Sequence, residues 1–170
     1  MQAELLVLRL VHVLGGVFWV GSALFMAIFL FPALASAGPA AGQIMGAMQR
    51  RRIFTVLPVV ATLTLLSGVR LMQLTSDGFS AAYFNSPSGR VYAWGGTFAI
   101  AAFVVGILFA RPTGLRLGRL DSLPPSDAAA EQQRRTAERA RLQRLVKLFG
   151  VVNLSLLLAS AAAMATARYF

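Results

Sequence analysis

Four apolar stretches, residues 5–34, 53–74, 91–110 and 145–167, each reach the roughly 20 helical residues that cross a hydrocarbon core. Backbone amides find no water there, so a single stretch of this length satisfies them only as a helix. The chain is therefore expected to be all-α, an integral membrane four-helix bundle forming one transmembrane domain over residues 1–170. Only 13% of its residues are charged and the mean hydropathy is +0.68, which excludes an ordinary soluble domain. The first stretch is about twice the length of a secretory signal's apolar region and is flanked by Glu4, so it reads as a retained anchor.

The net charge of +10 would suggest a nucleic-acid partner in a soluble chain; here its distribution decides. Four crossings put the first and third connections on one face. That face collects Arg50, Arg51, Arg52, Arg111, Arg116, Arg119, Arg134, Arg135, Arg139, Arg141, Arg144 and Lys147. The other face carries Arg9, Arg70, Arg90 and Arg168, so the positive-inside rule places both termini on the non-cytoplasmic side. Abundant arginine and alanine with a single lysine fit a GC-rich bacterial genome, hence the bacterial inner membrane.

The connections carry local signals. Pro32 to Gly38 should end the first helix, and Pro39 should open a short interfacial helix over 40–49. The Arg50–Arg52 triplet meets anionic headgroups. Pro58 is expected to kink the second span, with Thr55, Thr62, Thr64 and Ser67 satisfying freed carbonyls or bonding across helices. Asp77, Gly78, Phe79, Tyr83, Phe84, Tyr92, Trp94, Tyr169 and Phe170 read as turn and aromatic belt at the outer interface. Residues 126–144, with Ser126 or Asp127 as N-cap, form a basic helical segment that runs toward the fourth span. It has no interleaved aromatics, which favours lipid or a partner subunit over nucleic acid. Ser155, Ala159, Ala163 and Ala167 make a small-residue stripe that suits either intrachain packing or subunit contact.

His12 is the sole histidine, the chain has no cysteine, and an intramembrane imidazole needs a partner. At helical spacing His12, Gly16, Trp19, Ala23 and Met26 share a stripe, with Gly15 at its edge. Glycines clear space beside the ring and Trp19 offers a wall, features that suit nitrogen ligation to a macrocycle metal such as the iron of haem b or the magnesium of a chlorin. Arg9 and Arg70 lie near the same interface, where guanidinium groups can pair with propionates. The second axial ligand would have to be Met72, Tyr92 or water, because Met26 is too deep. The competing reading makes His12 a hydrogen-bonding partner of a neighbouring helix. Met45 and Met48 give a weaker copper-handling alternative. Paired intramembrane carboxylates are absent, so proton relay and di-metal chemistry have no support.

The order His12, Trp19, Gly21, followed by Met48-Gln-Arg-Arg-Arg52, Pro58 and Thr62-Leu-Thr-Leu-Leu-Ser-Gly68, with Asn153 in the fourth span, resembles two related groups of bacterial membrane proteins. These are the HemJ-type protoporphyrinogen oxidases and the CopD-like copper-resistance proteins. The resemblance implies a four-helix membrane fold with His12 at a haem-ligating position. The chain departs from the HemJ type in having no lysine between residues 91 and 110, Gln49 in place of an acid, and Leu154 where another acid is expected. A scaffold without the oxidase activity is the expectation that follows. The function read from the sequence is a non-catalytic accessory subunit packed against other transmembrane subunits or itself, with a haem-binding redox protein as the alternative.

Overall fold

The computed structural model describes residues 2–38, 40–124 and 128–170. Pro39, Ser126 and Asp127, expected to open helices, lie outside the described residues. The described chain is all-helical, and four helices are long and apolar enough to cross a membrane: α1 (Gln2–Ser36), α3 (Ile53–Thr75), α5 (Pro87–Asp121) and α6 (Ala129–Tyr169). Short helices α2 (Ala40–Arg50) and α4 (Ala81–Asn85) fill two of the connections. Arg52, in a left-handed conformation with φ 58°, turns the chain between α2 and α3.

Two of the long helices run through a proline: α1 ends at Ser36, within the expected 32–38, whereas α5 runs past the expected end of its span at 110. The reason they run through it is the same in both. Residues Met26–Leu30 of α1 and Val105–Ala110 of α5 adopt a π-helical turn just before Pro32 and Pro112. Proline lacks an N–H and collides with the carbonyl four residues back, and a widened turn absorbs both defects without ending the helix. Helix α5 thus continues past Ala110 to Asp121, and α6 runs unbroken from Ala129 into its apolar half.

The packing divides into two antiparallel hairpins, α1 with α3 and α5 with α6, which touch each other more sparsely through α3–α5 and α1–α6. The hairpins correspond in their first helices. An offset of 80 aligns Val11, Gly15, Gly16, Phe18, Phe29 and Pro32 with Val91, Gly95, Gly96, Phe98, Phe109 and Pro112, and sets Tyr92 where α1 has His12. Equivalent glycines receive the partner helix in each case. Gly15 faces Thr64, while Gly95 faces Ala163 and Met164 and accepts a 2.8 Å hydrogen bond on its carbonyl from Ser160 Oγ. The small-residue stripe of α6 is therefore used within the chain at Ala163.

Where the hairpins meet, the core takes one buried residue from each long helix: Trp19, Ala61, Ala102 and Leu157. Trp19 meets Phe103 edge-on with ring centroids 6.4 Å apart. At the end of the bundle that holds both termini, the connection between α3 and α5 folds back as α4. Ser86 caps α5 by accepting from Gly89 N at 3.1 Å, and its hydroxyl donates to the Tyr83 carbonyl at 2.6 Å. Burial pushes the Tyr83 phenol above its ordinary pKa, and a hydrogen bond from Thr75 opposes the shift.

Candidate functional site

The half of the α1–α3 contact nearer the termini collects most of the polar chemistry of the spans. His12 is half-buried, and its Nδ1–H donates to the Thr64 carbonyl across the helix pair at 2.8 Å. A carbonyl only accepts, so Nδ1 carries a proton. That leaves Nε2, which makes no hydrogen bond among the described residues.

Glycine makes this contact possible on both helices. A Cβ added to Gly68 would stand 2.6 Å from His12 Cε1 and 2.9 Å from its Nδ1, so the imidazole lies directly on the Gly68 backbone. Reciprocally, a Cβ on Gly15 would overlap Thr64 Oγ1. The Thr64 hydroxyl is held in place by donating to the Val60 carbonyl at 2.8 Å. Gly16 is looser, with Thr64 Cγ2 at 3.9 Å from the same construction. The clearance that the glycines provide beside the ring is thus taken up by α3 itself.

Two other hydroxyls of α3, those of Thr62 and Ser67, turn back on their own helix. Thr62 donates to Pro58 O at 2.8 Å, and Ser67 donates to Leu63 O at 2.7 Å and to Thr64 O at 3.0 Å. Back-bonding of this kind satisfies hydroxyls in an apolar medium. The cross-helix bond here is supplied by the histidine. Ser67 and His12 converge on one carbonyl, Thr64 O, which makes it the polar node of the hairpin.

The remaining residues named from the sequence lie apart. Arg70 is engaged: its Nε and Nη2 donate to Glu4 Oε1 at 3.0 and 2.7 Å, and its Nη1 donates to Gln73 Oε1 at 2.9 Å. Glu4 and Arg70 close the end of the same helix pair that lies by the N-terminus. Arg9 is exposed and makes no ion pair among the described residues. Trp19 stands seven residues, roughly 10 Å of helix, below His12, in the four-helix core. Met72 is directed to α5, its Cε 3.9 Å from a Cβ built on Gly96. Among the described residues no group of three or more His, Cys, Asp or Glu side chains could hold a metal ion.

Gly68 escaped the sequence reading as a partner of His12. It stood in the quoted Thr62–Gly68 run, but hydropathy carries no information on which residue of α3 faces which residue of α1. A second polar residue also has a distinct environment. Asn153 Oδ1 is buried without a hydrogen-bond partner among the described residues and faces Gly106 in the π-helical turn of α5.

Two substitutions test this description. Glu4 and Arg70 side chains are 41% and 46% exposed, so Glu4→Gln should change stability by less than about 1 kcal/mol, read as an unfolding midpoint within error of wild type. Asn153→Leu removes an unsatisfied buried acceptor at similar volume and should hold or raise the thermal midpoint in detergent. A clear fall would show that the amide has a partner in the membrane. Compared with known proteins, the chain matches no family model, no curated protein and no solved structure.

Proposed function

We propose that the chain is a non-catalytic subunit of the bacterial inner membrane, with both termini on the non-cytoplasmic side, that packs its spans against partner transmembrane helices or a second copy. One observation carries the reading. The only histidine and the glycines around it are consumed in joining α1 to α3, with the imidazole over Gly68 and Thr64 against Gly15. Chemistry that needed the ring would need that space. The sparse contact between the hairpins adds support, because it leaves most of each long helix facing outward.

The test is purification from the native membrane in mild detergent. A discrete assembly larger than one chain, holding a second membrane protein or a second copy at fixed stoichiometry, is the expected result. A monodisperse single chain with full thermal stability overturns it.

A second reading has a specific observation in its favour. A metal-ligating histidine commonly donates its other ring N–H to a carbonyl, which orients the ring. His12 has that arrangement, with Nδ1 on Thr64 O and Nε2 without a hydrogen-bond partner among the described residues. Haem b, when bound, would supply one-electron chemistry, with His12 Nε2 as the donor atom. The chain provides this one donor but no cleared face beside it, and the guanidinium of Arg70 is held by Glu4. Packing therefore stands first. The haem reading requires a stoichiometric Soret band that disappears in His12→Ala.

A further inference from the structure

Helices α3 and α5 touch only sparsely, and their seam is not closed. A cavity of about 290 Å³ opens outward between them, walled by Pro58, Val59, Thr62 and Leu63 of α3 and by Phe103 and Ile107 of α5. Both walls carry a helix irregularity: Pro58 on α3, and on α5 the π-helical turn that contains Ile107. Val59 and Leu63 are exposed, whereas Phe103 also meets Trp19 edge-on, so the cavity lies one ring away from the four-helix core.

The lining decides the class of occupant. Thr62 is the one lining side chain with a polar atom, and its hydroxyl is spent on the Pro58 carbonyl at 2.8 Å. A polar solute would lose its hydrogen bonds there, and hydrocarbon loses nothing. From Pro58 to Leu63 and from Phe103 to Ile107 the walls run roughly 6–8 Å at helical rise. A transmembrane helix, about 10–12 Å across, can cover such a cavity but not fill it. An acyl chain can fill it.

At one end the cavity meets charge. Phe103, Ile107 and Arg111 follow one another at four-residue spacing, which keeps all three on one face of α5. Arg111 thus stands one turn beyond the cavity, roughly 6 Å along the axis. It is exposed and has no ion pair among the described residues. Arg50, Arg51 and Arg52 precede α3 at the same end of the bundle. Between residues 5 and 120 the sole acid is Asp77, in the connection at the opposite end, so nothing nearby offsets these arginines.

We infer that the α3–α5 seam is a binding site for an anionic phospholipid, with an acyl chain against Pro58, Leu63, Phe103 and Ile107 and the phosphate on Arg111. Basic pockets between transmembrane helices suit such headgroups. The bound chain bridges the two hairpins where their own contact is thin. This site does not depend on the packing role proposed above.

The experiment uses full-length W94F, which leaves Trp19 as the sole tryptophan, buried beside Phe103. In dodecylmaltoside it is titrated with phosphatidylglycerol or phosphatidylcholine carrying the same dibrominated chains, and quenching of Trp19 is read. Phosphatidylglycerol should quench at least about fivefold more tightly, the factor that one basic residue contributes toward an anionic headgroup. R111Q should remove that preference and R111K keep most of it, whereas R116Q, five residues further and on another face, should stay within about twofold of W94F. V59F/L63F, which fills the cavity from exposed positions, should weaken quenching by both lipids at least about twofold. The inference is overturned by equal affinity for the two lipids, by a loss in R116Q as large as in R111Q, or by undiminished quenching in V59F/L63F. Displacement of phosphatidylglycerol by glycerol 3-phosphate at similar concentration would also overturn it, because the site would then bind a free phosphate. Elution of every variant at the wild-type position on gel filtration confirms that a lost signal is not lost fold.

Discussion

Gly68→Ala will lower the thermal midpoint of the detergent-solubilised protein, and His12→Ala in the same chain will restore part of the loss. The added methyl meets His12 Cε1 at 2.6 Å, so either the imidazole leaves the Thr64 carbonyl or α1 and α3 move apart. Overpacking of this kind costs about 1–3 kcal/mol, larger than the roughly 1 kcal/mol of helix propensity gained when alanine replaces glycine. His12→Ala alone removes a cross-helix hydrogen bond, worth about 0.6 kcal/mol on average in membranes. The two losses share one contact, so they should not add, and a coupling of about 1 kcal/mol or more is expected from a double-mutant cycle. Additive losses would mean that the ring does not rest on Gly68.

Gly89→Ala should be more damaging than any other glycine-to-alanine change in the chain. Its Cβ would overlap the Tyr83 carbonyl oxygen, with the Tyr83 carbonyl carbon at 2.8 Å and Ser86 Oγ at 2.9 Å. A side chain can rotate out of a clash; a backbone carbonyl cannot. Relief requires α4 to lift away from the start of α5, which breaks the Ser86 cap and its bond to Tyr83. Loss of a cap costs about 1 kcal/mol and the overlap another 1–3, so a destabilisation of about 2–4 kcal/mol is expected. Faster proteolysis between residues 76 and 90 should accompany it. Gly118→Ala is the matched control: nothing lies within 4 Å of its Cβ, and the change should be neutral or stabilising by about 1 kcal/mol.

The helical class and the four spans were legible in the sequence because crossing hydrocarbon demands long apolar runs. Their ends were less so. The third apolar stretch ends at residue 110, yet α5 continues through Pro112 and Gly114 to Asp121, since a π-helical turn depends on how a helix relaxes around proline. At the site, the need of His12 for a polar partner followed from its place in an apolar run. That the partner is a backbone carbonyl did not follow, because any residue offers one. The sequence left Thr64 and Ser67 to bond either carbonyls or a neighbouring helix; each takes a carbonyl three or four residues back, which is always within reach. Arg70 read as an anion partner and finds Glu4, whose side chain is brought to it by the α1–α3 pairing. Charge sign was legible there; register between helices was not.

The account rests on His12 being spent in the α1–α3 contact, and its being the only histidine makes a direct test possible. Nitrogen-15 NMR of protein labelled solely at histidine gives one pair of ring-nitrogen signals. The account predicts an imidazole protonated and hydrogen-bonded at Nδ1, with a metal-free Nε2. A ring protonated only at Nε2, or an Nε2 signal shifted and broadened by a bound iron, would contradict it.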